Sequence, residues 1–367
     1  MSDITISRGV RSNLLALQNI SSLRETIQGR LASGKKVNSA LDNPTNFFTA
    51  AALNSRGNDL GALLDSMSNG IKTLEAADNG LKSITKTVES LQSAIRQARQ
   101  DKSWKGESYA FTATSGTGDI VFTGGAVGTT AVTVAVSANA SVDDVVASIN
   151  GNSSLTSKVR ASNDNGKLRI ENLSTSDLTV TDTAVATTGT GGTIGGNTVR
   201  SDLITQFNDL RQQLDRTAED ASFNGINLLR GDALAITFNE TGSSSITIQS
   251  KNGEAINSTN LGIDVQSAAI ADSDANLDAI LTDLSAAMSS LRSQSSAFGS
   301  NLSVVQNRQD FTKSMINTLR GGADNLTLAD QNEEGANLLA LNTRAQLATS
   351  ALSFASQGDQ QVLQFLR

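Results

Sequence analysis

The sequence predicts a mainly α-helical protein with a small α+β insert. The helices form long antiparallel coiled coils drawn from both ends of the chain, with a β-hairpin added and a β-rich outer domain set between the helical halves. Three observations predict this. Apolar residues recur at steps of 3 and 4 near both termini, the pattern of a helix seam that must face another helix. A stretch rich in Thr, Gly, Val and Ser, from about 105 to 197, breaks that rhythm. Aromatic residues make up only 4% of the 367 residues and there is one proline, which suits long aliphatic seams better than a large aromatic core.

The first helix is expected from about Ser7 to Ala32, with Val10, Leu14, Leu17, Ile20, Leu23, Ile27 and Leu31 on its seam. Gly34 supplies a left-handed cap after it. A connector leads to Asn43-Pro44, an N-cap followed by proline at the first helical position. The second helix runs to about Gln100. Leu60, Leu64, Met67, Ile71, Leu74 and Asp78 hold its seam, and Leu81, Ile84, Val88, Leu91, Ile95 and Ala98 continue it after a one-residue slip. Gly57, Gly61, Gly70 and Gly80 mark either a break in this helix or close contacts.

Within the insert, 131–136, 167–170 and 178–180 read as strands. Asn165-Gly166 is a hairpin turn, and Ser141 caps a short helix ending at Asn150. The tract from Gly189 to Gly196 reads as a flexible return linker. Helix resumes at Ser201 along Leu203, Phe207, Leu210, Leu214, Thr217 and Ala221, and ends at Phe223-Asn224-Gly225. A hairpin of 234–238 with 245–249 follows. A long helix then spans about Ala275 to Arg320, with Ser295, Gln309 and Thr312 interrupting its seam and Gly321-Gly322 closing it. The last helix carries Leu338, Leu341, Ala345, Ala348, Leu352, Ala355, Val362 and Leu366, with Asp359 filling the one polar step. The expected organisation is 1–42, 43–104, the insert at 105–197, 198–325 with its hairpin near 233–250, and 326–367.

Composition restricts function. Net charge is −7, which argues against nucleic-acid binding. The chain has no Cys and no His, which removes thiolate and imidazole sites and the usual general base near neutral pH. No catalytic residue, cofactor or metal site is expected. No apolar run suits a cleaved signal or a membrane span. Asp143-Asp144 invites a metal reading, but a first helical turn explains the pair better, and Glu333-Glu334 complements a helix N-terminus. The Gly189–Gly196 tract lacks the Lys-Ser/Thr sequel of a phosphate loop. Arg96, Arg99, Arg292 and Arg308 read equally as contacts between subunits or as a solvated helix face.

An ordered residue costs about 1.5 kcal/mol, while only every third or fourth residue of the last helix offers apolar burial, and several of those are Ala. Leu347, Ala351 and Phe354 widen its apolar face. Such a helix needs neighbours on more than one side. The expectation is that both terminal segments order on assembly; a stable two-helix coiled coil within one chain is the alternative.

The segments 31–43, 219–229, 336–348 and 360–367 resemble the signature stretches of bacterial flagellin, the filament subunit of the flagellum, and 141–170 is similar to a repeat of flagellins and of the filament-capping protein. Asn43 to Phe48 suggests the alphaproteobacterial type. The resemblance implies a homopolymer for swimming motility, in which 1–42 and 326–367 line a channel, the remaining helices form a surrounding tube, and the insert faces the medium. It implies export by the flagellar type III route without a cleaved signal, a chaperone on the C-terminal helix, and cap and hook-junction partners. Flagellins detected by the animal innate receptor carry Arg where this chain places Ser90, so weak recognition is expected. The rival readings are the hook–filament junction protein and a surface adhesin on a helical stalk.

Overall fold

A computed structural model describes residues 8–112, 115–182 and 191–365, with the side chains at 359 and 362–365 left aside. Helix α1 (Arg8–Ser33) ends at Gly34, whose φ of 68° is left-handed as expected. Helix α2 (Pro44–Gln100) starts where Asn43 Oδ1 accepts from the Asn46 N–H at 3.1 Å.

The insert holds strands β1 (Lys105–Ala110), β2 (Gly118–Thr123) and β3 (Val132–Val136), helix α3 (Val142–Asn150), and strands β4 (Val159–Asp164), β5 (Lys167–Asn172), β6 (Leu178–Asp182) and β7 (Thr193–Ile194). The strands form two antiparallel sheets, ordered β1-β5-β4 and β3-β2-β6-β7. Alternate residues of both sheets turn inward onto one core with Val145 and Ile149 of α3. Asn165 and Gly166 both take positive φ in the tight turn that joins β4 to β5. Ser141 and Asp144 form a reciprocal capping box on α3, so the Asp143-Asp144 pair is a first helical turn.

After the insert come α4 (Thr198–Asp220), a 3-10 turn at Leu228–Arg230, the hairpin β8 (Leu234–Thr237) with β9 (Ser245–Ile248), and two further 3-10 turns at Lys251–Gly253 and Ala268–Asp272. Helices α5 (Asp274–Thr327) and α6 (Gln331–Phe365) complete the described chain.

The structure divides into two compact units. The first comprises 1–67, 237–245 and 307–367; the second comprises 68–236 and 246–306. In the first, α1 packs along α6. Leu60 of α2 clusters with Ile316 and Leu319 of α5, Arg56 pairs with Glu240 at 2.5 Å, and the Arg308 guanidinium lies 5.5 Å from the Phe238 ring centroid. In the second, Arg99 of α2 and Lys102, just beyond its end, pair with Asp278 and Asp274 of α5, at 2.6 and 2.7 Å. Asp78 accepts from Ser295 at 3.3 Å, so two polar interruptions of the expected seams meet each other.

Several expectations are corrected. Helix α5 runs through Gly321-Gly322 to Thr327, because Ala323 is fully buried and neither glycine takes positive φ. Helix α4 begins at Thr198, capped by Asn197 Oδ1, which accepts from the Arg200 N–H at 3.1 Å. Its buried stripe passes through Arg200, Ile204, Phe207, Leu214 and Ala218, turned from the line through Leu203, Leu210 and Ala221. In α2, Ala77 is buried in place of Asp78. The described part of the glycine tract includes β7. A Cβ on Gly191 would stand 1.9 Å from the Val180 carbonyl oxygen, so glycine permits the close approach to β6. Gly70 and Gly80 sit in an unbroken helix where a Cβ would meet Ile236 and Leu229 side chains at 2.4 and 2.7 Å; their role is close contact.

Candidate assembly surface

The stretch from Ser33 to Asn43 fixes where α1 ends and α2 begins. The Lys36 and Val37 N–H groups both donate to the Thr327 carbonyl, at 2.8 and 3.2 Å, and the Ala329 N–H donates to the Gly34 carbonyl at 3.0 Å. The exit of α1 is thereby held against the passage from α5 to α6. Arg30 Nη1 meets Glu334 Oε1 at 3.1 Å. Glu334 lies in the first turn of α6 and is buried, so it serves an ion pair as well as the helix terminus. Asp42 accepts from the backbone of Asn38 and Ser39, and the Ser39 bond, then that of Asn38, holds its carboxyl below the ordinary value.

Along the α1–α6 pair, Ile27 and Leu341 are buried. Val10, Leu17, Ile20 and Leu31 of α1 are half-buried, as are Leu338, Ala345, Ala348, Leu352 and Ala355 of α6. Leu14 and Leu23 are exposed. Leu366 and the side chain of Val362 lie outside the described residues. The other face of α6 carries Leu339, Leu347 and Phe354, recurring about every two turns and 70%, 66% and 73% exposed; Leu15 of α1 is exposed too. Two thin helices thus cover one seam between them and leave further apolar stripes uncovered.

Two regions at the root of the insert and beyond it escaped the apolar pattern. Arg200, fully buried on α4, donates Nε to the Asp101 carbonyl (3.0 Å), Nη1 to that of Ala271 (2.5 Å), and Nη2 to Asp274 Oδ1 (2.8 Å) and the Arg99 carbonyl (3.3 Å). Its guanidinium stacks 4.5 Å from the Trp104 ring centroid. Burial raises the Asp274 carboxyl, yet hydrogen bonds from Lys102 and Arg200 outweigh it and hold the group below its ordinary value. Asp101 is likewise held low: burial acts upward, and the Asn197 and Ser103 hydrogen bonds with the Arg200 charge prevail. Asp272 accepts from the Thr175 N–H (2.7 Å) and the Ser174 hydroxyl (2.9 Å). One arginine and three aspartates so join the end of α2, the start of α4, the start of α5 and the insert. In the second region, Asn224 and Gly225 take positive φ in a tight turn. Asn227 Nδ2 then donates to the carbonyls of Ala218 and Glu219, both at 2.8 Å, satisfying the last turn of α4.

No group of three or more Asp or Glu among the described residues could hold a metal ion. Ser90 is exposed on α2, its hydroxyl bonded to the Lys86 carbonyl at 3.1 Å.

The profile for the bacterial flagellin N-terminal helical region matches residues 10–114, and that for the bacterial flagellin C-terminal helical region matches 274–366. Together these cover more than half of the chain, at the ends where α1, α2, α5 and α6 lie. The chain belongs to the bacterial flagellin family. Flagellin A of Rhizobium meliloti is 26% identical across the whole of both chains. Flagellin FljK of Caulobacter vibrioides is 29% identical over 55% of this chain and 67% of its own. Flagellin D of Rhizobium meliloti is 36% identical over 29% of this chain and 26% of its own. These relatives support the alphaproteobacterial type. This flagellin is a structural subunit of the flagellar filament, not an enzyme; it polymerises with itself, and the filament is extracellular.

Proposed function

We propose that this flagellin assembles through α1 and α6 together. In this reading Val10, Leu14, Leu17, Ile20, Leu23, Ile27 and Leu31, with Leu338, Leu341, Ala345, Ala348, Leu352, Ala355, Val362 and Leu366, form the interface of the filament interior. The observation that carries it is the apolar stripe Leu339, Leu347 and Phe354, exposed on a helix whose other face is already engaged. Neighbouring copies cover that stripe, and the terminal helices become fully ordered only then. Residues 1–42 and 326–367 line the channel, 43–104 and 198–325 form the tube, and 105–197 face the medium.

The same exposed face gives an export chaperone its binding surface on the C-terminal helix, and the cap and hook-junction proteins meet the same helices at the filament ends. Export uses the flagellar type III route with no cleaved signal. Ser90, lacking a guanidinium, gives weak recognition by the innate receptor, since loss of such a hot spot typically costs about 2 kcal/mol or more. Seeded growth of the purified chain tests the central reading. Micrometre-long filaments are expected; a single closed ring would instead indicate the junction protein.

A further inference from the structure

Leu41 is 96% exposed, although the turn that carries it is firmly held. Asp42 Oδ2 accepts from the N–H groups of Asn38 and Ser39 at 2.9 Å each and from the Ser39 hydroxyl at 3.2 Å, while the Leu41 N–H donates to Ser39 Oγ at 3.3 Å. The start of the turn is anchored by buried Val37 and by the bonds to Thr327. The backbone of the turn is therefore held within one chain, which removes the cost of ordering that loop on docking.

A lone exposed leucine is ordinary. Here it is not alone. The segments joined at this junction also expose Phe48, at the start of α2, and Leu328, which bridges to Lys35 at the exit of α5. The charges beside them are unspent. Lys35 and Lys36 are exposed and make no ion pair among the described residues, and neither does Glu333 in the first turn of α6. A second copy of this chain offers both signs of charge and apolar surface at once. A contact between unlike surfaces of two copies repeats from copy to copy, as an open helical filament wherever the rotation does not close into a ring.

We propose that the turn at 38–42 is an assembly anchor, in which Leu41 of one copy docks onto an apolar surface of a neighbouring copy while Lys35 and Lys36 face its acidic groups. This rests on the reading of the chain as a subunit assembling through α1 and α6, but it assigns a contact outside those helices. The test compares purified full-length Leu41→Ser, Leu41→Met and Ile27→Asp chains in seeded polymerisation, and the thermal unfolding of each monomer. Leu41→Ser raises the critical concentration about tenfold or more, Leu41→Met restores it to near the wild-type value, and neither changes monomer melting. A Leu41→Ser chain that elongates at the wild-type critical concentration, or that melts lower as a monomer, overturns the anchor. Normal growth of Ile27→Asp would instead overturn the α1–α6 reading, whatever Leu41 does.

Discussion

Replacing Arg200 by methionine keeps most of the apolar stem and removes the guanidinium. The Asp101 and Ala271 carbonyls then lose a buried donor, at about 1–3 kcal/mol each where water does not enter. The stack on Trp104 is lost as well, worth about 0.5–2 kcal/mol. The ion pair with Asp274 adds little, because that carboxylate is about half exposed. The expected loss is about 3–5 kcal/mol, a fall in melting temperature of roughly 6–20 °C for a unit of this size. Thermal unfolding of the monomer measures it, and because Trp104 is the single tryptophan, its emission reports the same place independently. Arg200→Lys keeps the charge without the planar fork and recovers only part of the loss. A loss below about 1 kcal/mol with unchanged Trp104 emission would refute the assignment of Arg200 as the clamp at the root of the insert.

Four other outcomes are expected. Gly80→Ala forces a Cβ to 2.6 Å from the Ala221 Cβ and 2.7 Å from Leu229 and destabilises by about 1–3 kcal/mol in urea unfolding. Gly61→Ala meets nothing within 4 Å and stabilises by about 0.5–1 kcal/mol in the same measurement. Asp101 and Asp274 titrate below their ordinary value of 3.8 when folded; their contribution is present above that value, where the unfolded carboxylates are already ionised, and is lost as pH falls through the lower folded values. Monomer stability therefore declines on acidification through that window, and Asp101→Asn with Asp274→Asn flattens the dependence while lowering stability at neutral pH. Amide exchange on the monomer is expected to be much faster in α1 and α6 than in the middle of α2 and α5; equal protection would favour a stable coiled coil within one chain.

The helices were legible because their seams repeat at the helical period and their caps are local. Asn43-Pro44, Gly34 and Asn165-Gly166 each announce a boundary by backbone chemistry that needs no distant partner. The features that escaped depend on tertiary context. Gly321-Gly322 resembles a stop, but the packing of Ala323 carries the helix past it. Strand β1 is almost wholly exposed, so its composition gave no alternation to read. Arg200 and Arg211 occupy an inward stripe of α4 that a search for apolar residues skips; Arg211 donates to the Ile263 carbonyl at 2.8 Å. A cation spaced with Ile204 and Phe207 at helical period, just after an Asn cap, was the available clue. The terminal seams were legible as stripes, but a single chain leaves Leu339, Leu347 and Phe354 of α6 exposed, and the sequence carries no record of what would cover them.

The most direct test of assembly through the terminal helices alters residues that one chain leaves exposed. Leu347→Glu with Phe354→Glu changes the outer stripe of α6 and touches no buried contact. Added to short filament seeds, this variant is expected to melt as the wild-type monomer does yet fail to elongate. Elongation at the wild-type critical concentration and rate would contradict the account.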